Sequence, residues 1–555
     1  MDHFDTLTFN LIWLVVFIVA GVPVLRLKDD KQKLATYIMV VLMTFYVGCK
    51  YYQSIFVENR LNSNKAVDVE RAELVLRIAS ALNSMAQQAR ETSDMLGKLR
   101  GKHNGPAMPD KMKDPFAQAE EIIAKAVEAD PKSVSALGKL IVVRHESKEA
   151  IAPWMEKLSQ IKTEEAQALY SCLSTIYEGH ASSEQIPQFE QTIQRQFGAG
   201  WYQDYLLEAL YKQSVSRVRE HDASSIESQQ NPVAKPGKES HVTPELRTAH
   251  AELQKKNSLL AAKMVILVVF GIVSVLVGIV LIFVQLLFVA RRSTGPDESY
   301  LVKAPMHSSA LTIYGVFMAW LTTQNMVSSF LQTAMKPLVP YLKGTTGVDV
   351  GGNKPLLIAL MVAVLYAATN GPGTLYAYLF AMRPHKIGFF EGFRLRARVG
   401  KRGPFFLALM GLATWYVAVP LVLVVTFIGS KYLGSQGSNN PIIGLILEAA
   451  RSGNPASTIF FYLTLAVLAP ICEETLFRGF LYANLRRSLG VFPSMAISAA
   501  LFAAFHMDVG AFLPLFTLGS LFALVFEKHK SIVPSMVAHG LWNGGTFTLL
   551  LMLAG

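Results

Sequence analysis

The residues best suited to chemistry lie in the last hundred positions, inside long apolar runs. Glu473 and Glu474 sit in Ala-Pro-Ile-Cys-Glu-Glu-Thr-Leu-Phe-Arg, with Arg478 closing that segment. His506 ends Phe502-Ala-Ala-Phe-His, and His539 and Asn543 frame His-Gly-Leu-Trp-Asn. Of twelve histidines, only His506 and His539 fall deep in apolar stretches. Ionisable groups are costly in hydrocarbon, so each is a functional candidate by default. Helical spacing assigns partners. Glu474 and Arg478 are four apart, with the acid N-terminal, an order that lets them neutralise each other. Glu473 points about 100° away and has no such partner nearby, which leaves it as the candidate general base. His539 and Asn543, also four apart, face one direction.

This set suits hydrolysis. A carboxylate and an imidazole can hold and deprotonate a water, and a second imidazole with a carboxamide can donate to the oxyanion of a tetrahedral intermediate. Cys472 adjoins Glu473 but points elsewhere on the helix and has no evident base, so a cysteine nucleophile is not expected. Two Glu and two His could instead hold a catalytic Zn²⁺. There is no HExxH helix, Asn543 is a poor zinc ligand, and Arg478 adds positive charge, so the reading favours no metal and no cofactor. Blander roles stay open: interface acids for Glu473 and Glu474, an interface histidine for His506, interhelical glue for His539 and Asn543, and a cytoplasmic anchor for Arg478.

Positioning these groups requires membrane helices. Hydrophobic residues make up 51% of the 555 and charged residues only 17%, against about 25% charged in soluble domains. Apolar runs occupy 8–52 and 261–555, and 53–260 is polar. A span needs about 20 apolar residues. Candidate spans fall near 9–25, 34–52, 262–290, 309–334, 355–382, 404–430, 457–480, 491–508, 511–527 and 531–553, about ten in all. Asn370-Gly371-Pro372-Gly373 breaks the fifth, which is tolerable only where protein satisfies the freed backbone. Counted from the basic Arg486-Arg487 turn at about 1.5 Å per residue, Glu473 and His506 lie roughly 21 and 22 Å deep. Counted likewise from Ser531, His539 and Asn543 lie about 12 and 18 Å deep. Acid, imidazole and amide thus share one depth.

Basic residues in the 26–33, 383–403, 486–490 and 528–530 loops fall on one side, expected to be cytoplasmic. The N-terminus and 53–260 are then extracytoplasmic. The acidic first residues and the run Phe9 to Leu25, entering Arg26-Leu27-Lys28, read as a retained anchor rather than a cleaved signal. The net charge of +11 fits loop Lys and Arg facing anionic lipid. No basic soluble module suggests nucleic acid. Three cysteines, Cys49, Cys172 and Cys472, form no disulfide framework or CxxC pair.

The 53–260 region reads as helical. Leu74, Ile78, Leu82, Met85, Ala89, Leu96 and Leu99 make one apolar stripe. Asp114-Pro115 is a cap followed by an N1 proline. The segment from Ala119 to Pro131 resembles the second helix of a tetratricopeptide repeat, yet no 34-residue period follows, and a generic helical bundle serves as well. Further helices are expected over 133–146, 164–178, 184–197 and 200–213, with a linker over 219–243.

The three C-terminal segments together resemble the CPBP family of CAAX proteases and bacteriocin-processing membrane peptidases, whose pattern is EExxxR, FxxxH and HxxxN. The matching residues are Glu473, Glu474 and Arg478, then Phe502 and His506, then His539 and Asn543. The resemblance covers about 404–555 and implies that Glu473 activates water with help from His506. His539 and Asn543 would form the oxyanion site, and Glu474 and Arg478 would support it. The expected protein is all-α: a polytopic membrane bundle with an inserted helical domain. Two N-terminal spans (1–52) precede the extramembrane domain (53–260), a span with a cytoplasmic connector (261–300) and the peptidase domain (301–555). Expected partners are the lipid bilayer, a membrane-associated protein or peptide substrate, and a protein docking on 53–260. A plasma membrane, bacterial inner membrane by preference, is the expected location. The added domain puts a prenylated CAAX substrate in doubt. Other readings are a non-catalytic scaffold or immunity protein acting through its helical domain, and a transporter, though no repeat of spans is visible.

Overall fold

The computed structural model describes residues 13–16, 29–52, 72–73, 76, 115–178, 185–197, 200–211, 244–289, 309–335, 354–433, 453–508 and 510–554. Their regular structure is helical, with one isolated bridge between Val399 and Arg402. In chain order the helices are α1 (Asp29–Tyr52), α2 (Pro115–Ala129), α3 (Val134–Glu146), α4 (Ala152–Gln160), α5 (Glu164–Glu178) and α6 (Ile186–Phe197). Then follow α7 (Pro244–Val289), α8 (Ser309–Met335), α9 (Lys354–Tyr376), α10 (Pro404–Leu433), α11 (Pro455–Ser488), α12 (Val491–Phe505), α13 (Phe512–His529) and α14 (Val533–Ala554). The chain divides into two compact units, one of 1–63 with 270–550 and one of 64–269 with 551–555.

In the polar unit, α3 supplies Leu137, Leu140, Ile141 and Val143 to a core shared with Leu169 and Leu173 of α5 and Phe189 and Ile193 of α6. Ser133 caps α3, accepting from the Ala136 amide at 3.4 Å, and thereby satisfies one orphan donor. Arg144 of α3 pairs with Glu120 of α2 at 2.7 Å. The helical run over 201–211 is tied back by polar contacts: the Trp201 amide donates to Glu73 at 3.0 Å, Tyr211 donates to Glu190 at 2.6 Å, and Tyr205 donates to Glu146. The Glu73 carboxylate occupies the place a Cβ at Gly200 would take. Burial pushes the Cys172 thiol up to about 12, so it is a packing group and not a nucleophile. Helix α4 escaped the sequence reading because its nine residues are too few to show a clear period. The stripe from Leu74 to Leu99, Asp114 and the 219–243 linker lie outside the described residues.

Most of the apolar helices fall in the other unit, and α7 crosses the boundary between the two. Five are long and apolar enough to cross a bilayer: Ser258–Val284, Lys354–His385, Pro404–Tyr432, Pro455–Ser488 and Phe512–His529. Ile38–Lys50 and Val491–Phe505 are apolar but shorter. Among the described residues, length and composition thus mark seven of the ten expected segments as apolar helices, five of them long enough to cross. Helices α8 and α14 match their expected positions, but Ser, Thr, Asn, Gln and Gly dilute their apolar character. Of the candidate span at 9–25, only 13–16 are described, where Trp13 meets Phe45 and Tyr46 of α1.

The expected break in the fifth span is absent. α9 runs through Pro372 and continues as a π-helical turn over Ala377–Met382. Proline withholds one amide donor. Neighbouring groups hold the turn: Trp320 Nε1 of α8 donates to the Thr369 carbonyl at 2.9 Å, Thr369 Oγ1 to the Leu365 carbonyl at 2.7 Å and Asn370 Nδ2 to the Tyr366 carbonyl at 3.2 Å.

Candidate active site

The site is built on α11, whose hydrogen-bond register widens at two stretches. π-helical stretches at Leu463–Leu468 and Thr475–Tyr482 flank the α-helical Ala469–Glu474. Such widened turns free carbonyls and cluster at functional sites. Pro470 has no N–H to offer the preceding turn. The Leu465 carbonyl accepts from Asn543 Nδ2 of α14 at 2.9 Å. Gly540, one turn earlier, lies so close that a Cβ there would fall 2.5 Å from the Ala466 carbonyl oxygen. Gly540→Ala should therefore lower stability by about 1–3 kcal/mol despite alanine's better helix propensity. Thermal unfolding of the purified protein checks this; unchanged or raised stability would contradict the close approach.

Glu474 and Arg478 form the expected pair, Nη1 to Oε1 at 2.9 Å, both fully buried. Arg478 is no interface anchor. Its guanidinium lies 4.4 Å from the Phe502 ring centroid and 5.2 Å from that of Phe522. Nη2 donates to the Gly519 carbonyl of α13 at 3.2 Å. Eight residues further along both helices, Arg486 meets Glu527 through Nε at 3.2 Å and Nη2 at 3.3 Å. Tyr482 and Lys530 also donate to Glu527, at 3.0 and 3.1 Å.

The pair is not self-contained, however. Glu474 Oε1 also accepts from His539 Nδ1 at 2.9 Å. The His539 ring stacks on Phe522 with centroids 5.2 Å apart. His506, at the C-terminal end of α12, sets its Nδ1 2.7 Å from the Phe502 carbonyl. A carbonyl only accepts, so that nitrogen carries the proton. Phe502 thus faces His506, His539 and Arg478 at once.

With both Nδ1 atoms engaged, the two Nε2 atoms face Glu473. Its Oε2 lies 3.8 Å from His506 Nε2 and 3.8 Å from His539 Nε2. That oxygen is buried and takes no hydrogen bond. Oε1 accepts from the Tyr366 phenol of α9 at 2.6 Å. Three helices of the C-terminal segment therefore bring Glu473, His506 and His539 together. Asn543 has one amide hydrogen committed to Leu465 and retains the other. Cys472 is buried, and its carbonyl accepts from Thr374 Oγ1 at 3.4 Å. No group of three or more His, Cys, Asp or Glu among the described residues is arranged to hold a metal ion. Tyr366 was not singled out from the sequence: tyrosine is unremarkable in a span, and its only signal was proximity to the Asn370–Gly373 segment.

Residues 455–545, from the start of α11 into α14, match the family model described as Rce1-like, type II CAAX prenyl endopeptidase. That C-terminal match is consistent with the CPBP motifs read from the sequence. No curated protein and no solved structure matches.

Proposed function

We propose that the protein is an endopeptidase that hydrolyses a peptide bond of a membrane-associated protein or peptide with a water activated by Glu473. The observation that carries this reading is the approach of Glu473 Oε2 to both imidazole Nε2 atoms, each at 3.8 Å. That spacing is too long for direct hydrogen bonds and suits a bridging water. Glu473 accepts one proton of that water while His506 Nε2 accepts a hydrogen bond from the other. The resulting hydroxide attacks the scissile carbonyl carbon. In its protonated form His539 donates from Nε2 to the oxyanion, because Nδ1 already donates to Glu474. The second amide hydrogen of Asn543 is the other donor the family resemblance implies. Collapse breaks the C–N bond, and the proton held by Glu473 passes to the leaving nitrogen. The products are a carboxylic acid and an amine.

A zinc-dependent version is the second reading. It would draw on His506, His539 and Glu473 as a His₂Glu donor set, although no group of three or more His, Cys, Asp or Glu among the described residues is spaced to hold a metal ion. One experiment addresses both: proteomics of native membranes carrying wild type or Glu473→Gln, with metal assayed on the same purified proteins. Protein fragments that vanish in Glu473→Gln, with no stoichiometric metal in wild type, are the expected result and name the substrates. Matching proteomes would refute the peptidase reading, and stoichiometric zinc would replace the water mechanism with the metal one.

A further inference from the structure

We propose that Tyr366 is a positioning residue of this site, supplied by a helix outside the segment that matches the protease family. This rests on Glu473 being the reactive carboxylate, as argued above. A glutamate on a membrane helix has two equivalent oxygens and a rotatable carboxyl, and only one orientation presents a single oxygen to both imidazoles. The Tyr366 phenol removes that freedom. It donates to Oε1 at 2.6 Å, a distance typical of a charge-assisted bond. Oε2 is then the oxygen left facing His506 and His539.

Tyr366 is itself well held. Its carbonyl accepts from Asn370 Nδ2 at 3.2 Å. The next turn is pinned by Trp320 at the Thr369 carbonyl. One turn further, Thr374 reaches the Cys472 carbonyl, adjoining Glu473 on the chain. The polar residues that looked like a helix break are thus the fittings that aim one phenol at one carboxylate. The segment 455–545 alone supplies the acid and both imidazoles but not the group that orients the acid.

Tyr366→Phe removes only the hydroxyl and keeps the ring's packing. Loss of a hydrogen bond to a charged group predicts a fall of about tenfold to a hundredfold in kcat with KM nearly unchanged. The readout that does not depend on a substrate is labelling by dicyclohexylcarbodiimide, which couples to carboxyl groups within membranes. The full chain in lipid nanodiscs is labelled and the modified glutamates are located by peptide mass spectrometry. With Oε1 released, labelling at Glu473 should rise several-fold in Tyr366→Phe, while Glu527 labels equally in both proteins. Glu473→Gln is the control for site assignment. Equal labelling of Glu473 in wild type and Tyr366→Phe overturns the proposal even if the protein proves to be a protease. Raised labelling upholds the Tyr366–Glu473 bond even if no fragment vanishes from the Glu473→Gln proteome.

Discussion

Arg478→Met is expected to destabilise the protein by about 3–5 kcal/mol, because it leaves a buried carboxylate without its guanidinium. Against total stabilities of roughly 5–15 kcal/mol, that is enough to unfold much of the population. Glu474 and Arg478 are both fully buried, so neither charge has water to fall back on. The guanidinium also bonds the Gly519 carbonyl and packs against the Phe502 and Phe522 rings, which a thioether would only partly replace. Arg478→Lys keeps the charge but loses the planar fork that reaches Glu474 and Gly519 together. The double variant Arg478→Met with Glu474→Gln should regain part of the loss, since no bare charge remains. Denaturant or thermal unfolding in detergent measures all three. A single variant within about 1 kcal/mol of wild type would mean that the pair is solvated, contrary to its burial.

His539→Ala is expected to lower turnover about 10²–10⁴-fold while the protein stays folded. Glu474 keeps Arg478 as its partner, so the buried charge remains balanced. What disappears is the imidazole whose Nε2 faces Glu473. Measured on the protein fragments that depend on Glu473, the loss should resemble that of His506→Ala. Metal content separates the two mechanisms. Under the water mechanism His539→Ala binds as little metal as wild type; under the zinc mechanism it loses stoichiometric metal along with activity. Full turnover in His539→Ala would remove this residue from the chemistry altogether.

Glu473, His506 and His539 were legible in the sequence because polar atoms in apolar runs are conspicuous and three segments agreed in depth. Their helices were legible too: α12, α13 and α14 start and stop within a few residues of the apolar runs. What was hidden belongs to contacts between helices. Spacing along α11 revealed that Glu474 can meet Arg478, yet it says nothing about α14, so the bond from His539 to Glu474 could not be read. The phenol of Tyr366 was invisible for the same reason. The π-helical stretches of α11 change hydrogen-bond register without disturbing the apolar pattern, and Pro470 was their only trace. Basic residues counted as loop charges include Arg486 and Lys530, which in the folded chain both converge on Glu527. Charge in a short loop is a vote on orientation only while it faces solvent or lipid headgroups.

The spacing of two contacts constrains how the bundle can move. Arg478 grips Gly519, and Arg486 grips Glu527; the interval is eight residues on each helix, or about 12 Å along the axis. Like two rivets through parallel straps, they forbid α11 and α13 from sliding past each other unless both come undone together. A piston-like stroke between these helices is therefore the wrong motion to look for when a substrate enters.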